Sequence, residues 1–213
     1  MENSLKEALR YRGCPVCRLL DKDEYDFMCH LQYQAIHDEK ARKDLVIANG
    51  YCNFHFYEMA RLTSPRGIAM VTRELIDREI KELQEGSLPS RERIDCPMCG
   101  HLAEREDFYL PEFRDLLREE ILRKDYGETD GLCRVHLQKI LHFLKESELG
   151  QFLLLAQVQH LKNLRTELET FLEKGKANAK GMGPEKNAWW FAIQKKVGKK
   201  GLWQNDSFSV EMK

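Results

Sequence analysis

The chain has 213 residues, enough for one or two domains and for a sizeable buried core. With 42% apolar and 32% charged residues it reads as a folded globular protein, and 13 glycines with 6 prolines are too few for a turn-rich all-β fold. Thirty-four basic residues against 35 acidic ones leave a net charge of -1, so no global field draws the chain toward nucleic acid or anionic lipid.

The chain opens MENSLKEALRYRGCP, with no apolar core of a secretory signal. The longest apolar runs, Phe152 to Ala156 and Ala188 to Ile193, are too short to span a bilayer. A soluble, cytoplasmic protein in a reducing compartment is expected. The first motif is Cys14-Pro-Val-Cys17, a tight knuckle leading into a helix; after a loop comes Cys52-Asn-Phe-His55 on a second helix. From about Gly67 to Glu85, Ile68, Val71, Leu75, Ile76, Ile80 and Leu83 recur mostly at steps of three or four, the stripe of a core-facing helix. Glu85 to Arg91 reads as a linker.

Cys96-Pro-Met-Cys99 then opens a second series. Its first helix should break or end at Pro111. Cys133-Arg-Val-His136 follows, and then a long segment from Glu148 to Lys174 with Leu154, Val158, Leu161, Leu164, Leu168 and Phe171 as its core stripe. Gly175 to Gly183 reads as another linker. Pro184 suits the first position of a helix running Glu185 to Val197, and Gly198 suits its C-terminal cap. The last dozen residues read as frayed. No alternating strand is visible.

The two series form an internal repeat. At an offset of 82, Cys14, Pro15, Cys17 and Leu20 match Cys96, Pro97, Cys99 and Leu102. At an offset of 81, Arg42-Lys43-Asp44 matches Arg123-Lys124-Asp125, and Gly50, Cys52 and His55 match Gly131, Cys133 and His136. The expected architecture is all-α: two pseudo-repeated helical halves, residues 1–86 and 87–175, and a C-terminal helix and tail at 176–213. Each half is expected to close its own metal site.

Six of the seven cysteines fall in these motifs, and such spacing in a reducing compartment favours metal ligands over disulfides. A knuckle aims backbone N–H groups at its sulfurs and favours thiolates. Residues i and i+3 of a helix share a face, so Cys52 with His55, and Cys133 with His136, can grip one ion. Cys14, Cys17, Cys52 and His55, and Cys96, Cys99, Cys133 and His136, make two Cys₃His sets suited to tetrahedral Zn²⁺, two ions per chain, with no position left open for a catalytic water. The same residues admit two rivals. A CxxC can be a thiol–disulfide couple, although the βαβ context is missing and the CxxH pairs would be idle. Cys₃His can also hold an iron–sulfur cluster for electron transfer. Covalent haem is excluded, because neither CxxC is followed directly by His.

The other candidates read as structural. Cys29, among Tyr25, Phe27, Met28 and Leu31, is expected to be buried as a small hydrophobe. His101 is a bystander near a knuckle, while His30, His37, His142 and His160 share no ligand spacing. Carboxylates such as those in Arg73 to Glu79 read as solvated helix faces. Walker, GxGxxG, GxSxG and paired ExxH patterns are absent, which leans against an enzyme. From Lys174 to Lys200 there are eight lysines around Trp189, Trp190 and Phe191, with Trp203 beyond. Either this is a basic aromatic patch for nucleic acid or a membrane, or a terminal helix buries its tryptophans and leaves its lysines in water. The second reading is preferred.

The order CPxC…GxCxxH…RGxA, a second CPxC…GxCxxH and a terminal PEKNAWWFAI resembles an uncharacterised bacterial domain-of-unknown-function family. The residues carrying the likeness are Cys14, Cys17, Cys52, His55, Arg66, Gly67, Ala69, Cys96, Cys99, Cys133 and His136. The resemblance implies a helical protein with two metal sites and no catalytic residue to carry over. The functional expectation is a zinc-binding scaffold or interaction module, with an unidentified protein partner; the alternatives are a thiol and zinc redox regulator and an iron–sulfur carrier.

Overall fold

A computed structural model describes residues 2–62, 64–86, 96–144, 147–176 and 183–200, and among them all regular structure is helical. In chain order the helices are α1 (Glu2–Ala8), α2 (Pro15–His37), α3 (Glu39–Ile47), α4 (Asn53–Leu62), α5 (Pro65–Gln84), α6 (Pro97–Leu116), α7 (Glu120–Gly127), α8 (Arg134–Leu144), α9 (Glu148–Lys176) and α10 (Ala188–Val197). A 3-10 turn, Pro184–Asn187, leads into α10, so the terminal helix begins more tightly wound than expected. Local chemistry sets several starts. Asp38 accepts hydrogen bonds from the amides of Lys40 and Ala41 at the head of α3, and Ser64 caps α5 ahead of Pro65. No described helix is long and apolar enough to cross a membrane.

The chain divides into two compact units. One is drawn from Met1–Asp21 and Glu106–Trp203; the described residues of the other fall within Lys22–Arg105. The units therefore do not follow the halves expected from the repeat. Helix α2 begins in the first unit and ends in the second, and α6 begins in the second and ends in the first. The expected linker from Gly175 to Gly183 lies largely outside the described residues, that from Glu85 to Arg91 in greater part, and Trp203 with the tail entirely.

In the first unit the core gathers Leu5, Leu110, Phe113, Leu117, Tyr126, Leu132, Ile140 and Leu153. In the second, Met28, Leu45, Tyr51, Met59, Val71 and Met98 are buried. Pro111 does not end its helix; α6 runs on to Leu116. Proline in a helix costs about 3 kcal/mol. Burial of Leu110, Phe113 and Leu116 on either side of it, at about 1.5–3 kcal/mol each, outweighs that cost.

Both predicted stripes are only partly right. On α5 Val71 is buried, while Ile76, Ile80 and Leu83 are exposed. On α9 the buried line is Leu153, Gln157 and His160, one residue earlier than expected, and Leu154, Val158 and Leu161 face outward. The polar Gln157 is needed inside, because its Nε2 donates to the Leu132 carbonyl at 3.1 Å. Cys29 is exposed, not buried. It stands one turn from each of the exposed Tyr25 and Tyr33 on the open face of α2.

Candidate metal centres

All four ligand pairs use one local device. Cys14, Cys52, Cys96 and Cys133 each stand just before a helix, and their carbonyls accept from the amides of Arg18, Phe56, Gly100 and Leu137 at 2.9–3.1 Å. The second ligand of each pair lies three residues on, within the first turn. Pro15 and Pro97 occupy the first helical position, where a missing N–H costs nothing. The knuckle and the CxxH pair, expected to differ, are thus the same construction. Helix N-termini carry partial positive charge and favour thiolates there.

The structure brings together all eight expected ligands but exchanges the pairs. Centre A is Cys14, Cys17, Cys133 and His136; centre B is Cys52, His55, Cys96 and Cys99. Each knuckle therefore meets the CxxH pair of the other half, and the expectation that each half closes its own site is overturned. The reason lies in the course of α2 and α6. Each starts in one unit and ends in the other, so a knuckle and the CxxH pair of its own half belong to different units. Each centre then lies wholly within one unit, A in the first and B in the second.

The geometry fits a four-coordinate ion. In centre A, His136 Nδ1 lies 3.3 Å from Cys14 Sγ, 3.3 Å from Cys17 Sγ and 3.2 Å from Cys133 Sγ. In centre B, His55 Nδ1 lies 3.1 Å from Cys52, 3.4 Å from Cys96 and 3.4 Å from Cys99. Cys17 and Cys133 are 3.7 Å apart, as are Cys52 and Cys99. Zinc bonds of about 2.3 Å to sulfur and 2.0–2.1 Å to nitrogen give tetrahedral edges of about 3.8 Å (S···S) and about 3.6 Å (S···N). The observed edges fall within about half an ångström of these values. They are far too long for a disulfide, whose sulfurs stand about 2.05 Å apart.

Behind each histidine stands a carboxylate that the sequence reading did not single out. Glu106 Oε1 is 3.3 Å from His136 Nε2, and Glu24 Oε1 is 3.4 Å from His55 Nε2. Both glutamates are buried, and Glu106 also pairs with Lys139 at 2.7 Å. A carboxylate on the far nitrogen fixes the ring and raises its basicity toward a metal. The repeat held the signal, since Glu24 and Glu106 stand 82 apart, each seven residues past a knuckle. The knuckle and helix of α2 thus supply two sulfurs, Cys14 and Cys17, to centre A and the Glu24 carboxylate to centre B, and those of α6 do the reverse.

Without metal the centres share protons. Burial disfavours charge on His55, but Cys52, Cys96 and Glu24 outweigh it and raise its pKa to about 11. His136 is likewise raised well above the usual value, against burial, by Cys14, Cys133 and Glu106. Burial opposes ionisation of Cys14, yet Cys133, Cys17 and His136 hold it well below an ordinary thiol, while Cys133 and Cys14 push Cys17 up. In centre B, Cys96 and Cys99 lower Cys52, and Cys52 and Cys96 raise Cys99. A divalent ion binds the deprotonated forms of such ligands, so its binding would release protons from each set.

Gly131, two residues before Cys133, has φ +69°, and a Cβ there would meet His160 Cδ2 at 2.3 Å. Gly50, two before Cys52, has φ +81° and leans on Phe56. His101 stacks on Phe27 with ring centroids 3.9 Å apart, outside both ligand sets. His160 is buried, and burial followed by the charge of Lys195 lowers its pKa to about 4. The preferred reading of the terminal helix is corrected: Trp189 and Trp190 are about half exposed, while Lys195 is buried. Comparison with family models, curated proteins and solved structures gives no match, so the functional reading rests on the centres themselves.

Proposed function

We propose that the protein is a helical module organised by two zinc ions, one in each Cys₃His centre, serving as a non-catalytic scaffold for a protein partner. The observation that carries this reading is the closed tetrahedral donor set in each unit. Four protein ligands fill the coordination shell, so no position remains for a water or substrate. Sulfur separations of 3.7 Å are edges around a single ion, which favours a mononuclear site over an iron–sulfur cluster. Elemental analysis of protein purified under reducing, chelator-free conditions should return two zinc ions per chain. A count near zero, or a coloured iron protein from anaerobic preparation, overturns the assignment.

One observation favours a second role for centre B. Cys52 and Cys99 are partly exposed, whereas every ligand of centre A is buried. Hydrogen peroxide could take two electrons from these two thiolates. One S–S bond would form and the O–O bond would break; two protons would yield two waters, and the zinc would leave. Mild peroxide should release one zinc per chain, restored by reductant. Release of both ions together, or of neither, removes this reading.

A further inference from the structure

The first unit carries a cover for which the described residues of the second have no counterpart. Helix α10 packs on α8 and α9, and its contacts converge on the two stretches of chain that deliver the ligands of centre A. Arg12, two residues before Cys14, lies 4.3 Å from the centre of the Phe191 ring and pairs with Asp130 at 3.1 Å and Glu167 at 2.8 Å. Asp130, three residues before Cys133, also accepts the Gly13 amide at 2.7 Å. The Lys195 ammonium, 7% exposed, donates to the Asp130 carbonyl and lies 3.4 Å from Gln157 Oε1. Gln157 in turn holds the carbonyl of Leu132, the residue before Cys133. A cavity of about 20 Å³ is lined by Gly13, Cys14, Asp130, Cys133, His160 and Lys195 together, so Lys195 and two of the candidate ligands border one small space.

A buried ammonium is costly unless charge answers it. The oxygens that Lys195 touches are neutral, and the Asp130 carboxylate is taken up by Arg12 and the Gly13 amide. A divalent ion with three thiolates carries a net charge of about -1. Burial pulls Lys195 down to about 8, and the charges of Cys14, Asp130 and Cys133 work against that fall.

We propose that α10 is a metal-dependent clasp on centre A, with Lys195 as the positioning residue that ties the helix to the loop before Cys133 and answers the charge of the loaded centre. This rests on the reading that centre A holds a divalent ion. Metal and clasp then stabilise each other, and losing either loosens the other. The clasp also assigns a place to Lys195, the buried lysine among the described lysines of the basic C-terminal segment.

Hydrogen exchange on the full chain tests the coupling. Cys133→Ser should empty centre A and raise exchange in residues 188–197 by about tenfold or more, while Cys99→Ser, which empties centre B, leaves α10 protected. Zinc transfer to a chelator tests the lysine in a chain that keeps all eight ligands. Lys195→Met should release one of the two ions about 10–100-fold faster, and Lys195→Arg should restore retention. If the wild-type chain holds two ions, equal α10 protection in Cys133→Ser and wild type, or wild-type release from Lys195→Met, overturns the clasp alone. A wild-type chain that retains no metal overturns the zinc reading together with it.

Discussion

Centres A and B have the same four donors, the same helix N-termini and the same glutamate behind the histidine, yet their surroundings differ. In centre A all four ligands are buried beneath α10 and the network joining Arg12, Asp130 and Glu167. In centre B, Cys52 and Cys99 reach solvent. The braces of that unit lie elsewhere: Arg42 pairs with Glu74 at 2.8 Å, and Arg78 donates to the Val46 carbonyl, joining α3 to α5. Ligand chemistry sets what kind of ion such a donor set can hold. The covering settles how readily that ion is reached.

The comparison depends first on the exchanged pairing, and stoichiometry can break it with the largest effect. Structural zinc sites of this kind are worth about 10–16 kcal/mol at neutral pH and depend on all four ligands, so loss of even one is expected to empty its centre. The double variant Cys14→Ala/Cys133→Ala removes two ligands of one centre and should retain one zinc. Cys14→Ala/Cys52→Ala strikes both centres and should retain none. Native mass spectrometry distinguishes these outcomes, and pairing within each half would interchange the results.

The carboxylates sharpen the comparison next. Glu106→Gln should weaken zinc binding at centre A about 10–100-fold, and Glu24→Gln should do so at centre B. Competition with a chromophoric chelator resolves the two ions. Weakening of the centre fed by the sulfurs of the same helix, in place of the other one, would contradict the crossed supply.

A smaller effect belongs to the first unit alone. His160 is held near pKa 4 against an ordinary value of 6.5, so between those values the unfolded chain binds the proton and the folded chain does not. Stability is therefore lost as pH falls below 6.5, by about 2 kcal/mol at pH 5. His160→Phe keeps a ring against Gly131 and should flatten this loss. Chemical denaturation of wild type and variant at pH 7 and pH 5 measures it, and equal losses in both would show that His160 does not carry the effect.

The helical class and the eight clustered residues were legible because cysteine and histidine at i and i+3, repeated at matched spacing, leave a recognisable signature. The pairing was not legible. The gaps from Cys17 to Cys52 and from Cys99 to Cys133 are nearly equal, and spacing alone cannot tell that each knuckle helix passes into the other unit. The period of α9 was readable but its phase was not, since hydrophobicity points to Leu154, Val158 and Leu161, whereas Gln157 and His160 are the buried residues. Glu24 and Glu106 were hidden by their charge. Lys195 was hidden because its burial depends on contacts far along the chain, such as the Asp130 carbonyl, 65 residues away.

The crossed pairing has a consequence for birth order. The ligands of centre B, Cys52 to Cys99, are nested in sequence between the two pairs of centre A, like inner parentheses inside outer ones. A growing chain completes the inner set at residue 99 but the outer set only at His136, which at about 5–20 residues per second means roughly 2–7 s later. During that interval Cys14 and Cys17 are exposed thiols awaiting partners not yet made, and the segment that covers them, around Lys195, is made later still. The centre best shielded in the finished protein is thus the one left open longest during synthesis.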